Sequence, residues 1–317
     1  MPAFTRRRAL LGLTLLAAPA HAQRVGRPKR VAVILANAEQ DAEGQARLAA
    51  LRQGLAELGL VEGRDLELTQ RWTGGRAEAA EPLAAEVVAT RPDAIFVTGG
   101  RVIRAVQRAT RDIPIVFQLN GDPIAAGIVP SLANPGGNAT GLTSFEPGMP
   151  AKWQDLLRRV APGITQVFAL SSNPTGGLYA LAPATRLQRI ESEADIEPAF
   201  ARMAATPTAG LMVLPSAFAV ARRARIVRLA DAAGLPAIYP VRLFVEAGGL
   251  LAYGPDLLAQ FRAAAGALAR VLAGDAPGSL PVQAPTRFDL ALNLATARAQ
   301  GREVPTDLLA AADLLIE

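Results

Sequence analysis

Runs of consecutive apolar residues recur along the chain and predict buried β-strands. Three of the clearest are RVAVILA at residues 30–36, DAIFVTGG at 93–100 and IPIVF at 113–117. A strand that is apolar throughout is typical of a parallel sheet covered on both faces. Further strands are predicted at residues 66–72, 166–170, 209–215 and 235–239.

Between these runs, apolar residues recur with the period of an α-helix. Leucines at positions 48, 51, 55 and 58 form one such stripe, and Gly59 terminates it. The same pattern predicts helices at residues 76–90, 102–110, 152–160, 194–204, 217–233 and 256–273, and a last strand–helix unit from Pro285. Strands and helices therefore alternate at βαβ spacing, which argues for an α/β fold with doubly wound parallel sheets.

A stretch rich in glycine and proline divides this alternation into two parts. The strand at 113–117 is soon followed by NGDP at 120–123 and by NPGGN at 134–138, and the alternation restarts near residue 150. We therefore predict two α/β lobes that separate near residues 141–150. A single nine-stranded sheet is the alternative.

The first residues predict export. Arginines at positions 6–8 precede the apolar run ALLGLTLLAAPA, and an A-x-A site ends at Ala22, which is the organisation of a cleavable signal peptide. The apolar run is shorter than the roughly 20 residues of a membrane span. We expect cleavage after Ala22 and a periplasmic mature protein. A non-cleaved anchor is the alternative, and the arginine run is compatible with the twin-arginine route.

Composition excludes several kinds of chemistry. The chain has no cysteine, and its one histidine, His21, lies within the predicted signal. Serine–histidine triads, thiol catalysis and zinc sites built on imidazole or thiolate are therefore excluded, and we expect neither a metal nor a cofactor. The formal net charge of +5 includes the three arginines of the signal. The mature chain is thus nearly neutral, and nucleic acid is not an expected partner.

The carboxyl ends of the predicted strands are polar or rich in glycine, although the strands themselves are not. Ligands of open parallel sheets bind outside those ends, so two lobes that present such edges to each other would enclose a cleft. The candidate ligand-binding residues are Asn37, Gly99, Gly100, Arg101, Asp122, Asn173, Ser216 and Tyr239, together with Phe145, which follows the boundary between the lobes.

Asp122 has both a structural and a functional interpretation. An aspartate followed by a proline, here Pro123, is a common helix start, and such a cap is worth roughly 0.5–2 kcal/mol. In the functional interpretation the carboxylate accepts hydrogen bonds from a ligand ammonium group. Both can hold at once, because a carboxylate has two oxygens.

The other candidates are open in the same way. Gly99 and Gly100 either form a tight turn or expose backbone N–H groups that suit a ligand carboxylate, with Arg101 supplying positive charge. No G-x-G-x-x-G continuation follows them, so dinucleotide binding is not predicted. Phe145 and Tyr239 are either core residues or the two flanks of a ligand.

Three stretches resemble a known family. They are DPIAAGIVPSLANPGGNATGLT at residues 122–143, LPAIY with FVEAGGLLAYGPDL at 235–239 and 244–257, and PTRFDLALNLATARAQG at 285–301. In order and spacing they resemble the ABC-transporter substrate-binding proteins of the tryptophan/tyrosine-binding type. That resemblance implies a type I periplasmic-binding-protein fold, with two lobes on a three-strand hinge that close on a small ligand. It also implies presentation to a membrane permease and no catalysis.

This chain departs from the family pattern at three places. Gly100 and Arg101 stand where the family commonly has a small hydroxyl residue and a proline. Ser216 stands where it usually has aspartate, and the stretch between Asn173 and Asp195 is too short for a helix that the family carries there. We therefore expect that one wall of the cleft, or the ligand, is altered.

With this fold, lobe one is predicted at residues 23–142 and lobe two at 143–248. Residues 249–317 are expected to cross the hinge and mainly to return to lobe one. The expected function is a monomeric periplasmic protein that delivers an amino-acid-like ligand, possibly aromatic, to an ABC permease. The alternatives are a ligand-sensing subunit of a signalling system and an exported carboxylate-dependent hydrolase.

Overall fold

The computed structural model describes residues 27–144, 146–172 and 181–317. The predicted signal peptide and the candidate residues Phe145 and Asn173 lie outside these described residues. The described chain forms two α/β lobes, each with its own sheet. The alternative of a single nine-stranded sheet is therefore wrong.

Lobe one is built on five parallel strands in the described part of the chain. In sequence order they are β1 (Lys29–Leu35), β2 (Leu66–Trp72), β3 (Ala94–Thr98), β4 (Ile115–Leu119) and β5 (Ala139–Thr143), and they lie side by side as β2-β1-β3-β4-β5. β5 falls within the glycine-rich stretch and was not predicted. Its Gly141 lies so close to the backbone of Phe117 that a Cβ there would collide with it.

Three helices follow the first strands of lobe one. They are α1 (Ala42–Glu57), α2 (Ala80–Ala89) and α3 (Gly100–Ala109). Asp41 begins α1 by accepting a hydrogen bond from the Glu43 backbone N–H at 3.2 Å. Apolar side chains cover both faces of the sheet, which is why its central strands are mostly apolar.

Lobe two has seven strands among the described residues. They are β6 (Gln166–Ser171), β7 (Thr185–Arg189), β8 (Ala209–Val213), β9 (Ala237–Tyr239), β10 (Leu251–Pro255), β11 (Phe288–Asn293) and β12 (Leu314–Ile316), in the spatial order β12-β11-β10-β9-β8-β6-β7. Every pair is parallel except β10 with β11, which is antiparallel. The short strands β7 and β12 were not predicted.

The helices of lobe two cover both faces of this sheet. They are α4 (Met149–Val160), α5 (Ile196–Ala204), α6 (Ala217–Ala221), α7 (Arg223–Ala232), α8 (Leu243–Glu246), α10 (Leu294–Ala299) and α11 (Thr306–Ala311). The single helix predicted over residues 217–233 is wrong in one respect, because it is interrupted at Arg222. No helix of the described residues is long and apolar enough to cross a membrane.

The last quarter of the chain visits both lobes. Only α9 (Leu257–Ala273) and the residues after it as far as Gln283 return to lobe one, where Phe261 and Leu268 of α9 enter the core. The strands β10, β11 and β12 belong to the sheet of lobe two. The expectation that residues 249–317 mainly return to lobe one is therefore wrong, because most of their secondary structure pairs with β9 and its neighbours.

α9 packs closely against α1. A Cβ on Gly54 of α1 would fall on the backbone carbonyl of Arg262 and within 2.9 Å of the Ala265 Cβ. Phe261, directly before Arg262 in α9, meets Phe96 of β3 edge to face at 5.6 Å between ring centroids. The absence of a side chain at Gly54 therefore sets the distance between the two helices.

Substitution of Gly54 by alanine should lower the free energy of unfolding by about 1–3 kcal/mol, because the helices must move apart. Gly266→Ala is the matched control, since Gly266 lies within α9 and nothing lies within 4 Å of a Cβ placed there. That control should gain roughly 0.5–1 kcal/mol from helix propensity. Urea unfolding measures both, and a Gly54→Ala variant as stable as Gly266→Ala would contradict the close helix contact.

Candidate functional site

The chain crosses between the lobes at one side of both sheets. In the described residues, one crossover leaves the carboxyl end of β5 for α4, and a second leaves the carboxyl end of β10 for α9. A third runs from Gln283, which bonds Gly141 and Thr143 beside β5, to Phe288, which pairs with Pro255 at the end of β10. All three connections lie at carboxyl ends of strands, so the carboxyl edges of both sheets are on the side where the lobes meet, and we call the space between them the cleft.

Both lobes contribute to a small pocket beside these crossovers. Glu43 of α1 comes from lobe one, and Val241, Arg242 and Asp289 come from lobe two. Asp256, in the connection to α9, also lines it and caps α9 by accepting from two backbone N–H groups at 2.9 and 3.1 Å. The pocket marks the place where the cleft meets the hinge.

Asn37 follows β1 at the edge of lobe one, and its side chain is bonded within the protein. Its Nδ2 donates to Asp41 Oδ2 at 2.7 Å, while Asp41 Oδ1 caps α1. The Asn37 carbonyl accepts from the Gly74 N–H at 3.0 Å. In this structure Asn37 therefore braces the start of α1, so a direct contact with a ligand stays a prediction.

Gly99 ends β3 in a conformation that favours glycine. Its φ is +84°, and a Cβ there would lie 3.0 Å from the Ala36 Cβ. It is followed by Gly100 and by the exposed Arg101, which form the first turn of α3, and no side chain caps that helix. The tight turn is therefore observed, and the first backbone N–H groups of α3 remain suited to a ligand anion.

Asp122 caps a turn rather than a helix. Its Oδ1 accepts from the N–H groups of Ile124 at 2.8 Å and Ala125 at 3.2 Å. The chain then turns at Gly127, whose φ is +66°, so the helix expected after Pro123 does not form. Both hydrogen bonds end on Oδ1. The second carboxylate oxygen is therefore the one that could accept from a ligand.

Two serines meet at the edge of lobe two. Ser216 Oγ caps α6 by accepting from the Ala219 N–H at 3.0 Å, and it accepts a hydrogen bond from Ser172 Oγ at 2.6 Å. The two residues follow the adjacent strands β8 and β6. Serine thus serves as the cap where the family pattern usually has aspartate, and the paired hydroxyls form an uncharged edge.

Tyr239 belongs to the core of lobe two. It is 1% exposed and stacks on Phe244 at 4.8 Å between ring centroids. Burial, with a smaller effect of Asp231, raises the pKa of its hydroxyl far above the ordinary value. The expectation that Tyr239 flanks a ligand is wrong for this structure, because its ring is buried inside the lobe against Gly249 and Phe244.

A buried polar network joins the edge of lobe one to the hinge, and sequence reasoning missed it. Gln118 of β4 donates to Gln260 of α9 at 3.2 Å and to Ser144, directly after β5, at 3.1 Å. Ser144 donates to Gln260 at 2.6 Å, and Gln260 donates to the Thr143 carbonyl at 3.2 Å. Gln118 Nε2 also lies 2.9 Å from Asn120 Oδ1, so its two hydrogens are shared among three acceptors. The one signal in the sequence is a glutamine inside an otherwise apolar strand.

No group of three or more histidine, cysteine, aspartate or glutamate side chains in the described part of the chain could hold a metal ion. The polar groups at the cleft are instead amides, hydroxyls and single carboxylates. Such groups bind organic ligands through hydrogen bonds and one or two charges. The site is therefore chemically suited to a small polar molecule.

Comparison with protein families finds one that spans nearly the whole chain. The model of a family described as ABC transporter substrate binding protein matches residues 30–316. A tyrosine-binding protein of Clostridioides difficile (strain R20291) is 28% identical over 93 residues. That match covers 29% of this chain and only 27% of the tyrosine-binding protein.

Solved structures of low sequence identity share the fold. A conserved domain protein from Vibrio cholerae O1 biovar El Tor is similar with a TM-score of 0.82 and 24% identity, over 91% of this chain and 100% of that one. A domain from Streptococcus pneumoniae in complex with L-Trp has a TM-score of 0.81 and 20% identity over the same shares. These similarities confirm the predicted two-lobed type I periplasmic-binding-protein fold.

The polar network yields a stability prediction. Gln260→Met leaves the Gln118 amide and the Ser144 hydroxyl buried without their partner, which should lower the free energy of unfolding by about 1–3 kcal/mol. Gln118→Met should cost a similar amount. The double variant should cost less than the two single costs together, because it leaves neither glutamine amide without the other. Urea unfolding of the four proteins tests this, and additive costs would contradict a shared network.

Proposed function

Because the chain belongs to the ABC transporter substrate-binding protein family, we propose that it captures a small amino-acid-like ligand between its lobes and delivers it to an ABC permease. Proteins of this family bind substrates for transport, so the chain is a binding protein and not an enzyme. The observation that carries the proposal is the cleft, where two polar strand edges face each other across short crossovers.

An aromatic amino acid is the ligand class that we propose. Support comes from two similar proteins, of which one is named for binding tyrosine and the other was solved with L-Trp. The residues at the cleft agree with a zwitterion, since Asp122 offers an acceptor and the first turn of α3 offers N–H donors. Phe145 and Asn173 remain proposed contacts to the ligand.

The proposed binding step follows from these positions. The second oxygen of Asp122 takes the ligand ammonium group, and the N–H groups near Gly100, assisted by Arg101, take the carboxylate. Lobe two then closes with the uncharged edge at Ser172 and Ser216. The two paired hydroxyls offer no ion-pair partner to the ligand side chain, so this edge suits an apolar or aromatic side chain.

The proposed place of action is the periplasm. Family members of this kind work outside the cytoplasm, and we propose that residues 1–22 direct export and are removed after Ala22. The partners are then the small ligand and the membrane permease, and the protein acts as a monomer. The mature protein should be recovered from the soluble periplasmic fraction with Gln23 at its amino terminus.

Purified wild-type protein should be stabilised thermally by L-tryptophan or L-tyrosine and should release the ligand unchanged. Ligand that binds only the folded state raises the melting temperature by mass action. A thermal-shift screen of the twenty amino acids, followed by mass spectrometry of the released ligand, measures both effects. Failure of every amino acid to stabilise the protein would contradict the ligand class, and a converted product would contradict binding without catalysis.

The Asp122→Asn variant separates the role of Asp122 as a turn cap from its proposed contact with the ligand. Asparagine keeps an oxygen for the Ile124 and Ala125 N–H groups, so the free energy of unfolding should change by less than about 0.5 kcal/mol. Loss of a buried charge-assisted bond costs roughly 2–5 kcal/mol, so calorimetric affinity for the amino acid should fall about 30-fold or more. Asp122→Ala should lose affinity and, in addition, about 1 kcal/mol of stability.

The matched control is Asp65→Asn. Asp65 also accepts a backbone N–H, from Val61 at 2.9 Å, but it precedes β2 at the opposite edge of the sheet. This variant changes net charge equally and should bind as the wild type does. Equal affinity of the Asp122→Asn and wild-type proteins would show that Asp122 serves only as a cap.

A further inference from the structure

The buried network fixes the orientation of each side-chain amide in it. Gln260 Nε2 lies 3.2 Å from the Thr143 carbonyl oxygen. A backbone carbonyl can only accept hydrogen bonds, so the nitrogen of Gln260 must face it. The oxygen of Gln260 must therefore face Ser144 Oγ and the Gln118 amide, at 2.6 and 3.2 Å.

The same reasoning fixes the orientation of the Asn120 side-chain amide. Because Gln118 meets the oxygen of Gln260, it must present its nitrogen there, and that nitrogen lies 2.9 Å from Asn120. The atom of Asn120 that faces Gln118 is therefore its oxygen, Oδ1. Ser144 Oγ lies 3.1 Å from the same oxygen. Gln118 therefore holds the oxygen of Asn120 toward the interior, because the single hydroxyl hydrogen of Ser144 is donated to Gln260 at 2.6 Å.

This orientation turns the nitrogen of Asn120 away from the network. Gln118 is 2% exposed and Gln260 is 6% exposed, whereas Asn120 is only partly buried. Among the described residues its Nδ2 makes no hydrogen bond and is not one of the buried polar atoms without a partner, so it is accessible to solvent. Asn120 directly follows β4. Its two amide hydrogens therefore point out at the strand edge that faces the cleft.

Two neighbouring groups show which ligand atom this donor suits. Asp122, two residues further along, offers its second oxygen as an acceptor for an ammonium group. The first turn of α3 is also close, since a Cβ at Gly100 would lie 3.4 Å from Leu119 Cδ1, immediately before Asn120. A neutral donor between an acidic acceptor and a set of backbone donors matches the carboxylate of a free amino acid.

We propose that Asn120 Nδ2 donates a hydrogen bond to the carboxylate of the bound amino acid, and that Gln118, Ser144 and Gln260 are positioning residues that hold it there. The inference rests on the proposed function and deepens it. Ser144 directly follows β5, from which the first crossover leaves. Gln260 lies in the first turn of α9, directly after the second crossover. The donor is therefore oriented by the parts of the chain that form the hinge.

Asn120→Asp is the direct test, with L-tryptophan as the probe and L-tyrosine as a second probe. Aspartate keeps the oxygen that accepts from Gln118, but it replaces the outward donor with a second oxygen that repels a carboxylate. Calorimetric affinity should fall about tenfold or more, while the melting temperature without ligand stays close to that of the wild type. Affinity within threefold of the wild type would overturn the proposal.

The positioning role of Gln118 and Gln260 is tested by comparing ligand affinity with stability in variants of these two residues. Gln260→Met removes the fixed orientation of the amides, so affinity for L-tryptophan should fall together with stability. In the double variant of Gln118→Met with Gln260→Met, stability should partly recover, because no amide is left unpaired. Affinity should remain low, because the Gln118 amide that holds the oxygen of Asn120 is absent. Recovery of affinity along with stability would show that the network acts only on folding.

Ligand binding by the wild-type protein distinguishes a failure of this inference from a failure of the proposed function on which it rests. If the wild-type protein binds neither probe, the proposed ligand class fails, and the carboxylate contact fails with it. If the wild type binds a probe and Asn120→Asp binds it equally, only the contact at Asn120 fails. The Asp122→Asn variant provides the comparison for a lost ammonium contact in the same experiment.

Discussion

The packing of α9 into lobe one is the contact on which the rest of the structure depends. Phe261, Ala264, Ala265 and Leu268 of that helix join the core formed by β1, β3 and α1. Lobe one is therefore completed by residues that the chain reaches only after most of lobe two. The crossovers connect the two lobes covalently, and they place the carboxyl edges of the two sheets opposite each other.

The sequence predicted the parts of the fold in which burial leaves a regular pattern. Strands such as β1, β3 and β4 are mostly apolar, and α1 carries its leucine stripe, so both kinds of element were found. β5 was missed because ATGLT is short, small and partly polar, although all five of its residues are buried. β7 was missed because TRLQR has a polar face. Their neighbours, rather than their own composition, make them strands.

The site was less predictable for a related reason. Strand ends could be identified, but which of their side chains are bonded within the protein depends on distant partners. The Gln118–Gln260 hydrogen bond joins residues 142 positions apart, and no local sequence pattern predicts it. Asn37 and Ser216 were predicted as ligand contacts from position alone, whereas in the structure their side chains bond Asp41 and Ser172. Sequence position indicates the edge, and the three-dimensional contacts decide which atoms remain available there.

The two outer strands of the lobe-two sheet bear on the behaviour of the protein at high concentration. An exposed sheet edge with unpaired N–H and C=O groups is a template on which another chain can add a strand and begin an aggregate. β12 is only three residues long, and β7 carries Arg186 and Arg189 among polar neighbours. Short length and like charge both disfavour edge-to-edge pairing. Among the described residues, both edge strands of this sheet therefore carry features that disfavour edge-to-edge self-association.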